Sequence, residues 1–377
     1  MPRIIWYELK KLFSLPVLVL WAATAVILLA SMAGRYANMT GQASMDGAGI
    51  RAISMEYAGP LDQELADRAR KDWRALPDEW SSRDTPEAAA RRMVLRTLDE
   101  EFAIAAAGIS ATEPPKNASP DAILRLAPML EPAPVRFAHG YWEGWRALLA
   151  AFDGEAGWLC AVMAAFGVSA LFSGEGSSGM AACVRTTRHG RQALALGKIT
   201  AAAAYAILSA VVCVGLPLAA GAVLFGLQGR ELPAQFAGTL DNPIAYPLTL
   251  AQYAGLRAAM AAMGALALAG CTALLSAALP SVTTPAVAAL ALFAAPTLLA
   301  QMKLDSPVLD CILRYLPSRL LLAQPGMKAM QAVALWNGAL WQPAWLCIFW
   351  AAMLPAMGLL AVRQWRKVRR EEPISQD

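Results

Sequence analysis

The chain has 377 residues, 57% of them hydrophobic and only 16% charged. A soluble domain carries about 45–50% apolar and about 25% charged residues, so a single water-soluble globular unit is excluded. The net charge of +4 is unevenly divided: the stretch Arg35–Glu155 holds 14 Lys+Arg and 19 Asp+Glu, and the remainder 18 and 9, so a basic part and an acidic part share one chain.

In chain order, residues 1–33 read as an amphipathic N-terminal helix (Ile4 to Phe13) leading into a first apolar span, Leu15–Ala33. Lys10, Lys11, the apolar run and Ser31-Met32-Ala33 also fit a cleaved leader. The run is about 19 residues, however, longer than the usual ~7–15 of a leader's apolar core, so a retained helix is expected. Residues 34–155 form an acidic insert that reads as mainly helical. Pro60–Leu76 is charged and amphipathic. Thr85-Pro86-Glu87 reads as an N-cap followed by proline at the first helical position. The helix it starts runs through Ile104, with Met93, Val94, Leu98 and Phe102 at near-helical spacing. Glu113–Pro134, with six prolines, reads as a linker around one short helix, Pro120–Leu130. Tyr141, Trp142 and Trp145 just ahead of the second span fit a membrane-interface anchor.

Residues 156–377 carry five further apolar runs: Ala156–Ser173, Ile199–Leu227, Ala254–Leu279, Pro285–Met302 and Pro343–Val362. Each of the six runs has at least 18 residues, enough at ~1.5 Å per residue to cross a ~30 Å hydrocarbon core. The expected fold is therefore an all-α membrane protein with six transmembrane helices and a helical extracytoplasmic domain between the first two. Pro217, Pro296 and Pro355 fall inside spans, where proline is tolerated as a kink. Arg257, near one end of the fourth span, is expected to snorkel to the headgroups.

Arg3, Lys10 and Lys11 precede the first span; Arg185, Arg188, Arg191 and Lys198 lie between the second and third; Arg363, Arg366, Lys367, Arg369 and Arg370 close the sixth. With six spans these fall on one side, which the positive-inside rule makes cytoplasmic. The reading is a multi-pass protein of a bacterial plasma membrane with both termini cytoplasmic. Its basic face suits anionic lipid. Nucleic acid is not expected, because no basic patch is interleaved with aromatics. His139 and His189 lie on opposite sides and share no metal; a lone histidine of this kind is expected to be a polar surface residue. The six cysteines contain no CxxC pair, and four lie in or at spans, where cysteine acts as a small hydrophobe. No GxxxxGK[ST] phosphate loop occurs, so no ATP or metal cofactor is expected in this chain.

The segment 174–198 is the most informative. Gly174–Gly179 suggests a sharp turn at the membrane exit, and Met180–Arg188 a short amphipathic helix along the surface. By charge alone it is a basic connector. In residue order, however, Phe172, Glu175, Gly179, Val184, Thr186, Gly190, Arg191 and Lys198 resemble the cytoplasmic loop of type-2 ABC exporter permeases. Ile4 to Phe13, with Glu8, Lys10 and Lys11, is similar to that family's N-terminal amphipathic helix, and Tyr141/Gly144-Trp145 to the members with a large insert after the first span. The likeness covers the chain in topology and some 50 positions in motif. Many members carry two consecutive acids where this chain has Gly174-Glu175, so contacts of the first acid are not carried over.

The resemblance implies a permease subunit, itself no enzyme, whose loop forms a coupling helix docked on a separate cytosolic ABC ATPase that holds ATP and Mg. Glu175 would fix the turn or pair with a basic group. Arg185, Arg188 and Arg191 would meet acidic surface or lipid phosphate, and Thr186, Gly179, Gly190 and Lys198 complete the loop. A second permease chain, identical or different, would pair through the small-residue faces Gly255–Gly270 and Ala286–Ala295. The cargo would be lipid-like, hydrophobic or peptide. The alternatives are a membrane-anchored sensor or assembly factor whose insert binds a ligand, and an intramembrane enzyme, for which the spans show no cluster of carboxylate, His or Ser.

Overall fold

A computed structural model of the chain describes residues 2–77, 85–107, 137–180, 192–237, 244, 246, 248–301, 312–322, 332–335 and 338–367. Helix α1 (Pro2–Leu12) turns Ile4, Ile5, Glu8 and Leu12 inward and leaves Trp6 and Tyr7 exposed. It stops at Leu12 because Pro16 has no N–H to continue the helical ladder; α2 (Leu15–Ala43) restarts with that proline in its first turn.

The insert contributes α3 (Gly47–Glu56), β1 (Gly59–Pro60), α4 (Gln63–Ala75), α5 (Pro86–Ala107) and β2 (Ala138–His139). Its helices begin at side-chain caps: Asp46 accepts from Gly49 N (2.8 Å), Asp62 from Leu65 N (2.9 Å) and Thr85 from Ala88 N (3.2 Å), each satisfying an otherwise orphaned donor. β1 and β2 pair antiparallel, Gly59 opposite His139. A separate apolar core joins Ile50, Ile53, Val94 and Leu98 of the insert to Met32 of α2 and Phe225. Arg51 Nη2 donates to Phe225 O at 2.6 Å. The insert is thereby packed onto the ends of the spans.

The remaining helices are α6 (Glu143–Asp153), α7 (Glu155–Ser177), α8 (Ala193–Leu224), α9 (Leu250–Ala278), α10 (Thr283–Gln301), the single turn α11 (Ser318–Leu321) and α12 (Gln342–Lys367). The chain is a multi-pass α-helical membrane protein: among the described residues five stretches are long and apolar enough to cross a membrane, Leu15–Ala43, Glu143–Ser177, Ala193–Leu224, Leu250–Ala278 and Gln342–Trp365. α10, the expected fifth span, has a shorter apolar stretch, Thr283–Leu299. A hairpin of β3 (Ala332–Leu335) and β4 (Gly338–Trp341) precedes α12, a strand pair that the apolar-run pattern does not reveal.

Several expectations are corrected. α2 runs ten residues past Ala33, because Arg35 is neutralised by Glu155 at the base of α7 (3.0 and 3.1 Å), a carboxylate that also meets Ser31. Arg257 does not snorkel: its side chain is 2% exposed, and its guanidinium donates to Asp153 Oδ1 (2.5 Å) and Phe152 O (3.2 Å). Tyr141, Trp142 and Trp145 are buried core residues rather than interfacial anchors, with Trp145 Nε1 donating to Gln228 O at 2.8 Å. α9 packs against α7, α8, α10 and α12 and buries Gly264, Ala265, Ala267 and Ala269 there, while Gly255 and Ala259 remain exposed. Helix Pro120–Leu130, the Glu113–Pro134 linker and the Met180–Arg188 helix, which falls in 181–191 from its second residue, lie outside the described residues, as do His189, Cys183 and Cys311.

One close approach fixes α7 on α8. A Cβ at Gly167 would lie 2.2 Å from the Tyr205 ring. That ring is held by Phe13 and Trp21, whose Nε1 donates to Tyr205 Oη at 3.1 Å. Gly167→Ala is expected to destabilise by about 1–3 kcal/mol through overpacking, read as a lower midpoint of thermal unfolding in detergent; an unchanged midpoint would mean the helices separate freely.

Candidate functional site

Four charged side chains meet where α1 crosses the end of α7 and the start of α8. α1 supplies Glu8 and Lys11, one turn apart; α7 supplies Glu175 in its last turn; α8 supplies Lys198 in its second turn. Lys198 Nζ lies 2.8 Å from Glu175 Oε1 and 3.2 Å from Glu8 Oε2, and donates to Leu171 O at 2.6 Å. All three of its N–H groups thus have acceptors. Lys11 Nζ is 2.9 Å from Glu8 Oε1 and 3.4 Å from Glu175 Oε1. The side chains of Glu8 and Lys198 are each 2% exposed, so these charges are taken out of water and persist only because each is paired. Burial alone would lower the Lys11 pKa, but the contacts with Glu8 and Glu175 outweigh it and hold the ammonium above the ordinary lysine value of 10.5. It stays charged across the neutral range.

The helices that carry these groups are themselves fixed. Ser276 Oγ of α9 accepts from Phe172 N (3.0 Å) and Ser173 N (3.1 Å), and Phe172 stacks on Trp365 of α12 at 5.4 Å. α7 continues through Gly174 and Glu175 to Ser177, so the turn comes at Gly179, the last residue of the glycine-rich Gly174–Gly179 segment. Gly179 has φ +69°, a left-handed conformation in which a side chain would be strained. A cavity of ≈780 Å³ opens beside the four charges. They form its polar end; Leu12, Val17, Leu20, Phe166 and Leu171 form apolar wall.

Of the residues picked from the sequence, the fold brings Glu175 and Lys198 into direct contact and sets Gly179 at the turn that follows. Arg185, Thr186, Arg188, Gly190 and Arg191 lie outside the described residues. Glu8 and Lys11 were legible only as parts of a motif. The signal for Glu8 was present, because it falls on the apolar face of α1 with Ile4, Ile5 and Leu12, where an unpaired carboxylate would be costly.

A second polar cluster has no counterpart in the sequence reading. His139 Nδ1 lies 2.7 Å from Glu101 Oε2, Trp142 Nε1 donates to Glu101 Oε1 at 2.7 Å, and Ser54 Oγ lies 3.3 Å from His139 Nε2. His139 is 3% exposed, not a surface residue. The serine–histidine–carboxylate order matches that of hydrolytic triads. The adjoining cavity, however, is ≈10 Å³, room for about one water, so no acyl substrate fits. The cluster instead joins α3, α5 and β2 of the insert to Trp142 at the start of α6.

Neither a scan against protein-family models nor a search of curated proteins finds a match.

Proposed function

We propose that the chain is the membrane permease subunit of an ATP-binding cassette exporter, driven by a separate cytosolic ATPase. One observation carries the reading: Glu175 and Lys198, at the two ends of the loop 174–198, are locked to each other and to Glu8 and Lys11 of α1. A push on that loop by a partner would reach α1, α7 and α8 together through buried ion pairs. Helix α10 would complete six spans, the insert would lie outside, and both termini and the loop would be cytoplasmic. Two such chains would form one permease, moving a lipid-like, hydrophobic or peptide cargo.

Co-purification with a nucleotide-binding protein through 174–192, and stimulated ATP hydrolysis by the pair, test the reading. Gly179→Val strains a left-handed turn, and Glu175→Ala removes one of the two carboxylates that hold Lys198. Both variants are expected to insert normally and to lose most of the stimulated hydrolysis and transport. Wild-type coupling in both would reduce the loop to a basic connector.

A further inference from the structure

We propose that the ≈780 Å³ cavity between α1, α2 and α7 binds an aminophospholipid, its ammonium on Glu175, its phosphate on Lys11 and an acyl chain along the Val17–Leu20–Phe166 wall. The inference requires the helices to lie in a membrane and does not require an ATPase partner.

The unsatisfied valences at the polar end define the headgroup. Lys198 has three acceptors for three N–H groups, and both oxygens of Glu8 are paired. Glu175 Oε1 serves both lysines, while Oε2 is buried and has no hydrogen-bond partner among the described residues. A buried carboxylate oxygen without a donor is costly. Lys11, with two carboxylate neighbours and a side chain 45% exposed, retains one N–H. A head that fits must therefore bring a cationic N–H donor to Glu175 and an anion to Lys11. A primary ammonium linked to a phosphodiester has both. A choline head carries the cation without N–H, and a glycerol head has no cation.

The rest of the cavity defines the tail. Its walls are apolar, and its volume lies within the ~300–1,000 Å³ range of ligand sites. Phe166, on the cavity wall, is 46% exposed, and Pro16 and Ala170 of the same lining are exposed as well. An acyl chain leaving the cavity continues along these side chains into hydrocarbon, so the ligand need not leave the bilayer to bind.

The purified chain in detergent, without nucleotide or any other protein, is titrated with dioctanoyl phosphatidylethanolamine, phosphatidylcholine and phosphatidylglycerol, and with phosphoethanolamine as the free head. Affinities are read by native mass spectrometry. Phosphatidylethanolamine is expected to bind about tenfold tighter than the other two lipids, the worth of one charge-assisted hydrogen bond, and far tighter than the free head. Glu175→Gln should bring it to the level of phosphatidylcholine. Ala170→Phe fills the cavity from an exposed position and should abolish binding of all three lipids while leaving the charges in place. Equal affinity for the three heads, phosphoethanolamine binding as tightly as the lipid, or wild-type binding by Ala170→Phe would each overturn the proposal. If the wild-type chain binds phosphatidylethanolamine in this way but stimulates no ATP hydrolysis by any partner, only the exporter reading falls.

Discussion

Lys198→Met is expected to lower the stability of the folded chain by about 3–5 kcal/mol, the cost of breaking a buried ion cluster by removing one partner. Methionine keeps the length and apolar stem, so little of the loss comes from packing. What changes is charge: among the described residues, Glu8, 2% exposed, and Glu175, 13% exposed, keep Lys11 as their one ionic partner, and Leu171 O loses its lysine donor. Two carboxylates facing one half-exposed ammonium repel each other in a place water barely reaches. Adding Glu8→Gln to Lys198→Met restores neutrality and should recover part of the loss, a coupling that a double-mutant cycle reads directly. The measurement is the midpoint of thermal unfolding in detergent. A loss under about 1 kcal/mol, or simple additivity in the cycle, would show that the cluster is solvated and would remove the mechanical link between α1 and the loop.

The second large effect is expected at Glu101, which is 1% exposed and accepts at 2.7 Å from Trp142 Nε1 while its other oxygen meets His139 Nδ1 at the same distance. Glu101→Ala strands both buried groups and opens a void, for an expected loss of about 3–5 kcal/mol. Glu101→Gln keeps the shape and one oxygen acceptor and should lose distinctly less. Because the cluster joins α3, α5 and β2 to Trp142, the alanine variant should also expose the insert to protease at concentrations that leave the wild type intact. Equal behaviour of the alanine and glutamine variants would mean that the hydrogen bonds contribute nothing and the carboxylate only fills space.

What the sequence determined by itself was everything that depends on near neighbours. Apolar composition over twenty residues is a local property, so the five long spans were visible, their ends misplaced by up to 13 residues, the start of the second read at Ala156 where the apolar stretch begins at Glu143. The cap at Thr85 follows from the chemistry of three or four consecutive residues. The absence of a phosphate loop was likewise a matter of reading along the chain. The tertiary structure alone decided which polar groups are buried. Arg257 reads as a snorkelling residue until Asp153, 104 positions away, is placed against it. His139 reads as surface until Glu101, 38 positions away, reaches it. Tyr141 and Trp142 read as interfacial until the insert folds over them. Glu8 and Lys11 acquire their meaning only when α1 lies across Glu175 and Lys198. A charge is stable out of water only with its partner, and the partner is supplied by the packing of distant helices, which no window along the chain contains.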